Sequence, residues 1–303
     1  MNLLLGALTV GLILAVLSLG VFLSFRVLRS LDLTTDGAFT TGAAVACALL
    51  VRGVPPLLAT LGGSVAGGLC GAVTGLIHTR WRVDVILAGI LVTTALYSID
   101  TWVMHGGNLS LAGRPTIFEQ TAGLVNGESS TSWSRDIVSV FMLTLIVGGL
   151  GIGVGVFSVT DLGLALRATG SSPRMAMASA IDTGLATTAG LALANTFTAL
   201  SGALFAQYQG FANISMGIGT IVTGLASVIL GEALLAQRTI RRRIYAALLG
   251  AVVFRLLVAA ALWAGLDPNA LRLVTAVFVL AALTLPAAFR RLRRLRESRP
   301  VHG

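Results

Sequence analysis

Apolar runs recur along nearly the whole of this 303-residue chain, and several are long enough to cross a bilayer. A membrane helix needs about 20 such residues. The runs are continuous rather than alternating, which argues for helices and against a barrel. Only 11% of residues are charged, against about a quarter in an ordinary soluble domain. The predicted fold is all-α and polytopic, with roughly eight to nine transmembrane segments. The candidate segments are Leu3–Phe25, Ala38–Val51, Pro56–Ile77, Asp84–Met104, Ile137–Val159, Thr183–Ala206, Gly219–Ala236, Ile244–Gly265 and Ala270–Phe289. The second is too short for an ordinary span and reads as part of a broken or re-entrant element. The first lacks a basic n-region and a clear A-x-A site, so it reads as a retained span rather than a signal peptide. The expected organisation is a transmembrane domain over 1–290 and an Arg-rich tail over 291–303.

The net charge is +9, and the chain has no Lys. In a soluble chain that balance would suggest nucleic acid. In a membrane chain, basic residues collect in cytoplasmic loops. Arg26, Arg29, Arg80, Arg82, Arg167, Arg174, Arg238, Arg241–Arg243 and the arginines of the tail all fall on one side if the N-terminus is outside. The other side receives Arg52, Arg114, Arg135 and Arg272. This asymmetry places Asp161–Asp182 in the cytoplasm and His105–Asp136 outside. The outer loop reads equally as a disordered linker or a partner-facing surface.

Several chemistries are excluded or left without support. A P-loop needs G-x-x-x-x-G-K-[ST], which a chain without Lys cannot contain. His78, His105 and His302 form no H-E-x-x-H pattern, and no G-x-S-x-G elbow is present. No catalytic or metal-binding residues are predicted. Cys47 and Cys70 sit in apolar runs and read as small packing residues.

Gly63, Gly67, Gly71 and Gly75 lie four residues apart, along one helix face. Without side chains they let another backbone come close, which predicts helix packing. Gly149/Gly153 and Gly151/Gly155 have the same spacing. The stretch "SLDLTTDGAF" holds Asp32, Thr34 and Asp36 between two apolar segments. It reads as a polar break at a discontinuous helix, as a solvated loop, or, with least support, as a carboxylate pair for acid–base work. Asn195, Gln207 and Asn213 are amides at or near membrane depth; they bond neighbouring helices or line a pathway. Arg255 lies well inside an apolar run, where it is costly unless it snorkels or pairs with a partner such as Asp100 or Glu232.

Several of these stretches resemble one family. "DLTTDGAFTTGAAV" (Asp32–Val45), "LAGILVTTALYSI" (Leu87–Ile99), "LGLALRATGSSPRMA" (Leu162–Ala176) and the long run Gly190–Glu232 are similar to permease subunits of ATP-binding-cassette importers. The family includes branched-chain amino-acid and ribose permeases. The nearest resemblance is to a bacterial subgroup predicted to import amino acids such as tryptophan and tyrosine, or unassigned solutes. The chain departs from that subgroup at Ser171 or Ser172, Asp84 and Asp100, where Asn is frequent.

The resemblance implies a subunit of the bacterial plasma membrane with no cofactor of its own. A separate ATPase would bind ATP and Mg, a lipid-anchored or periplasmic binding protein would deliver the solute, and a second permease copy would complete the path. It also implies a coupling helix around Arg167–Ser179, with Arg167, Ala168, Thr169, Gly170, Pro173, Arg174 and Met175 meeting the ATPase. Asp32, Thr34, Asp36, Asn195, Gln207 and Asn213 become candidates for the translocation path. Two rivals remain. An ion-coupled secondary transporter calls for carboxylates near midspan, whereas Asp32 and Asp36 read as lying near a loop. An intramembrane enzyme lacks its motifs.

Overall fold

The computed structural model describes residues 2–126, 132–235 and 239–265, together with Val277 and Leu280. Eleven helices make up nearly all of it. Helix α1 (Asn2–Val21) runs into a π-helical turn, Phe22–Val27; α2 (Thr34–Val51), α3 (Pro56–Trp81) and α4 (Val85–Val103) follow. A short strand, β1 (Asn108–Ser110), precedes α5 (Ile117–Asn126) and α6 (Ser132–Phe157). Two short helices, α7 (Asp161–Ser171) and α8 (Pro173–Ala178), lead to the long α9 (Thr183–Gln209). Strand β2 (Phe211–Asn213), α10 (Thr220–Leu234) and α11 (Ile240–Trp263) complete the described chain. Among the described residues, seven helices are long and apolar enough to cross a membrane: α1 with its π turn, α2, α3, α4, α6, α9 and α11.

Polar caps set many of the helix ends. Asp84 accepts from the Ile86 amide, Thr160 from Gly163, and Asp182 from Gly184 and Leu185. These caps satisfy N–H groups that have no partner inside the helix. Pro56 opens α3, where its missing N–H is no loss. Gly210 closes α9 with φ +79, a left-handed conformation that glycine adopts readily.

Helices α2 and α9 occupy the centre. Helix α9 packs against α3, α2 and α1, while α11 packs against α1 and α10. The predicted glycine stripe explains the tightest of these contacts. A side chain at Gly67 would fall on Ala199, at Gly71 on the Leu191 carbonyl, and at Gly75 on Thr188. At Gly63 it would meet the Gly42 carbonyl of α2. Gly42 and Gly202 complete the fit from the other side, against Ala199 and the Phe39 carbonyl.

The α6 glycines behave otherwise. Nothing lies within 4 Å of where a Cβ would sit on Gly149 or Gly153, while Gly151 and Gly155 face only side chains. Their spacing alone does not bring a second backbone close.

Two element predictions are corrected. The second segment is an unbroken helix of 18 residues, because Thr34, Asp36 and Gly37 belong to its first turn rather than to a loop. The short element is α10, which the chain enters through β2 and the irregular segment 214–219. The outer loop also has structure where it is described. Strand β1 pairs antiparallel with β2, Leu109 opposite Ala212, and α5 packs on α6. The ninth predicted segment (Ala270–Phe289) and the Arg-rich tail lie outside the described residues, Val277 and Leu280 excepted.

Candidate functional site

The start of α2 is a buried polar knot. Asp32 Oδ1 accepts from the Thr34 amide at 2.9 Å, so it caps the first turn. Its Oδ2 accepts from Asn195 Nδ2 at 2.6 Å. Thr34 and Thr74 share a hydroxyl–hydroxyl bond of 2.7 Å, and Thr93 Oγ1 donates to the Leu33 carbonyl at 3.0 Å. Four helices, α2, α3, α4 and α9, therefore meet at residues 32–34. Asn195 lies near the midpoint of the 27-residue α9, about 18 Å from its first residue at 1.5 Å per residue. Asp32 lies in the irregular segment 28–33 and Asp36 in the first turn of α2, yet the bond to Asn195 sets Asp32 beside the middle of a long apolar helix.

Asp36 forms a second junction, with α10. Its Oδ1 accepts from the Ile221 amide at 2.9 Å and from Thr220 Oγ1 at 2.9 Å. Its Oδ2 accepts from the Gly219 amide at 3.0 Å. Thr40 Oγ1 accepts from the Gly217 amide at 3.1 Å. Gly219 has φ +85, which turns the chain into α10. Here the N-terminus of a short helix, with its free N–H groups and positive dipole end, ends inside the bundle. A carboxylate from another helix closes it.

Asp36 also lines a cavity of about 390 Å³ between α2, α4 and the segment before α10. Thr93, Thr94, Tyr97, Ser98 and Asp100 of α4 line the same space. Thr94, Tyr97 and Ser98 are exposed on the free face of α4. Sequence reading passed over this stripe. Its signal was present: Thr94, Ser98 and Thr101 recur at helical spacing inside an otherwise apolar span.

The other proposed path residues are placed differently. Asp32, Thr34 and Asn195 are at most 1% exposed and bond neighbouring helices. Gln207 Nε2 donates to Thr60 Oγ1 at 2.7 Å, and its Oε1 accepts from the Ile117 amide at 3.1 Å. It also borders an outer cavity of about 720 Å³ shared with Arg114 and Glu119. Asn213 ends β2 and accepts from Ser215. Arg255 borders an apolar cavity with Phe39 and Phe254. Of its two suggested partners, Glu232 pairs with Arg26 and Asp100 accepts from Thr41 Oγ1 at 3.1 Å.

At the opposite end, α7 and α8 build a basic corner. Arg26, Arg29, Arg167, Ala168 and Arg243 line a cavity of about 370 Å³. Arg167 Nη1 donates to the Ser158 carbonyl. Gly170 continues the helix rather than breaking it. It lies in the last turn of α7, where a side chain would fall on the Val27 carbonyl of the π turn. Thr169 is buried beside it. The break comes at Ser172, which is extended and caps α8 by accepting from the Met175 amide; Pro173 opens that helix. Arg174, Met175 and Met177 are exposed, and Met175 is 72% exposed. Ala176 turns inward.

Among the described residues, no group of three or more His, Cys, Asp or Glu side chains could hold a metal ion. The two cysteines are free and buried.

Comparison with known proteins adds the following. Residues 3–283 match the family described as "Branched-chain amino acid transport system / permease component". A tyrosine transport system permease protein of Clostridioides difficile (strain R20291) is 32% identical over 275 residues, covering 91% of this chain and 88% of that protein. An uncharacterized protein of Rickettsia prowazekii (strain Madrid E) is 30% identical over 288 residues, covering 94% of this chain and 98% of its own length. No solved structure matches the chain.

Proposed function

The chain belongs to the family of branched-chain amino acid transport system permease components, and on that premise we propose that it is the membrane subunit of an ATP-driven importer of an amino acid. It is a multi-pass permease of the plasma membrane. The energy source, the partners and the solute are the proposal. In this reading the chain carries no catalytic group, and a separate ATPase binds ATP and Mg and hydrolyses the nucleotide. The observation that carries the reading is similarity to a tyrosine transport permease along 91% of the chain.

Three surfaces support the assignment. At the Arg-rich end, Arg174, Met175 and Met177 project from a six-residue helix held to the bundle through Ala176 and Gly170. Exposed methionines beside an arginine suit a partner whose surface is apolar and acidic. Along α4, Thr94, Tyr97 and Ser98 form a polar strip at membrane depth, which suits an aqueous path or a second copy better than lipid. We assign one wall of the translocation path to that strip and the other to the second copy. At the far end, the β1–β2 ladder, α5 and the cavity beside Arg114 offer a landing surface for an extracytoplasmic binding protein.

The test is capture of the ATPase. The full chain is co-expressed with a candidate ATPase subunit from the same organism, and a tag on the ATPase is used to purify from detergent-solubilised membranes. Recovery of the permease supports the assignment. A permease that inserts normally but never co-purifies contradicts it.

A further inference from the structure

We propose that the cavity between α2, α4 and the segment 214–218 receives the protonated amine of the transported solute, with Asp100 Oδ1 as its acceptor. This rests on the permease reading and adds a site and a ligand class to it.

Asp100 carries the argument. It is 1% exposed and lines the cavity. Its Oδ2 accepts from Thr41 Oγ1, but its Oδ1 has no hydrogen-bond partner among the described residues. A buried carboxylate oxygen without a donor is disfavoured in a folded protein and calls for an explanation. The second carboxylate in the cavity is not in this condition, because Asp36 is fully engaged by Gly219, Thr220 and Ile221.

The remaining lining narrows the ligand. Among the described residues, no Arg or His borders this cavity. The hydroxyls of Thr40, Thr93 and Thr94 each donate to a backbone carbonyl, of Asp36, Leu33 and Ile90 respectively. Their donors are spent; the Thr40 oxygen already accepts from the Gly217 amide, while those of Thr93 and Thr94 turn lone pairs to a ligand. The wall is rich in acceptors and carries negative charge, so it suits an ammonium group and repels a carboxylate. Tyr97 adds an aromatic ring, which also attracts cations. At about 390 Å³ the space exceeds that of a single ion and falls in the range of small-molecule sites.

The test uses the full chain in membrane vesicles, with Cys47 and Cys70 replaced by Ala and Ser98→Cys as a reporter lining the cavity. Its labelling by a cationic trimethylammonium methanethiosulfonate is compared with labelling by the anionic sulfonate reagent. The expected preference for the cation is about tenfold, as one nearby carboxylate would give. Tyramine should slow the labelling, and 3-(4-hydroxyphenyl)propionate should not. Asp100→Asn should abolish both the preference and the protection. If that variant fails to insert, the preference and the tyramine protection in the Ser98→Cys chain decide alone. Equal labelling by both reagents overturns the proposal. So does protection by the acid, or protection by sodium chloride equal to that by tyramine. Labelling needs no ATPase, so a failure here is separate from a failure of ATP-driven uptake, which would instead sink the importer reading.

Discussion

Asp36, in the first turn of α2, accepts the backbone amide of Ile221 at 2.9 Å and so closes the N-terminus of α10, 185 residues away in sequence. The bond joins the central pair of helices to the last third of the described chain. It also explains how a helix of 15 residues can begin inside the bundle: its orphan N–H groups and its dipole find a carboxylate there.

Asp36→Ala should therefore destabilise the protein by about 1–2 kcal/mol, the usual worth of a lost cap. Asp36→Asn should lose less, since an amide oxygen still accepts. Thermal unfolding of the purified full chain in detergent checks the order wild type, Asn, Ala. An Ala variant as stable as the wild type would remove the cap from the account.

The Asp32–Asn195 bond predicts non-additivity. Asn195→Ala leaves Asp32 Oδ2 buried without its donor, at a cost of about 1–3 kcal/mol. Removing both side chains should cost less than the sum of the single changes, with a coupling of about 0.5–3 kcal/mol. Strict additivity would mean that the two groups do not depend on each other.

The two glycine series should respond in opposite ways. Gly71→Val drives a side chain into the Leu191 carbonyl and should prevent stable insertion or lower the unfolding temperature sharply. Gly153→Ala meets open space and should be neutral or raise stability by up to about 1 kcal/mol through helix propensity. Equal tolerance at both positions would contradict the packing described for α3 and α9.

Helix α8 gives a third contrast. Arg174→Glu and Met175→Glu change exposed side chains, so insertion and unfolding temperature should hold while ATPase capture falls about tenfold. Gly170→Trp should instead fail to fold, because the residue packs on the π turn. Capture at the wild-type level by both glutamate variants would move the coupling contact elsewhere.

The contrast between Gly71 and Gly153 also shows how far the sequence could be read. A four-residue glycine spacing places the residues on one helix face in both cases. Only the long-range fold decides whether a backbone lies opposite. The helical membrane fold was legible because span length and continuous apolarity follow directly from bilayer thickness. The start of α2 was misread because Thr34 and Asp36 look like loop residues. Their partners, Thr74 and the amides of Gly219 and Ile221, lie 40 to 185 residues away. The same distance hid the role of Asn195, whose carboxylate partner is 163 residues earlier. Asp32 lies in the irregular segment 28–33 and Asp36 in the turn that follows it, and family membership adds weight against the ion-coupled rival. Asp100 and the α4 strip were visible as polar residues at helical spacing, but their common cavity required the segment before α10 to fold against them.

The central claim is that this permease moves its solute only when an ATPase drives it. The most direct measurement is uptake of a radiolabelled amino acid, the ligand of the partner binding protein, into proteoliposomes holding the full chain, that binding protein and the partner ATPase. The account predicts uptake that requires ATP and disappears when the ATPase is omitted. Uptake by the chain alone, driven by an ion gradient without ATP, would contradict it.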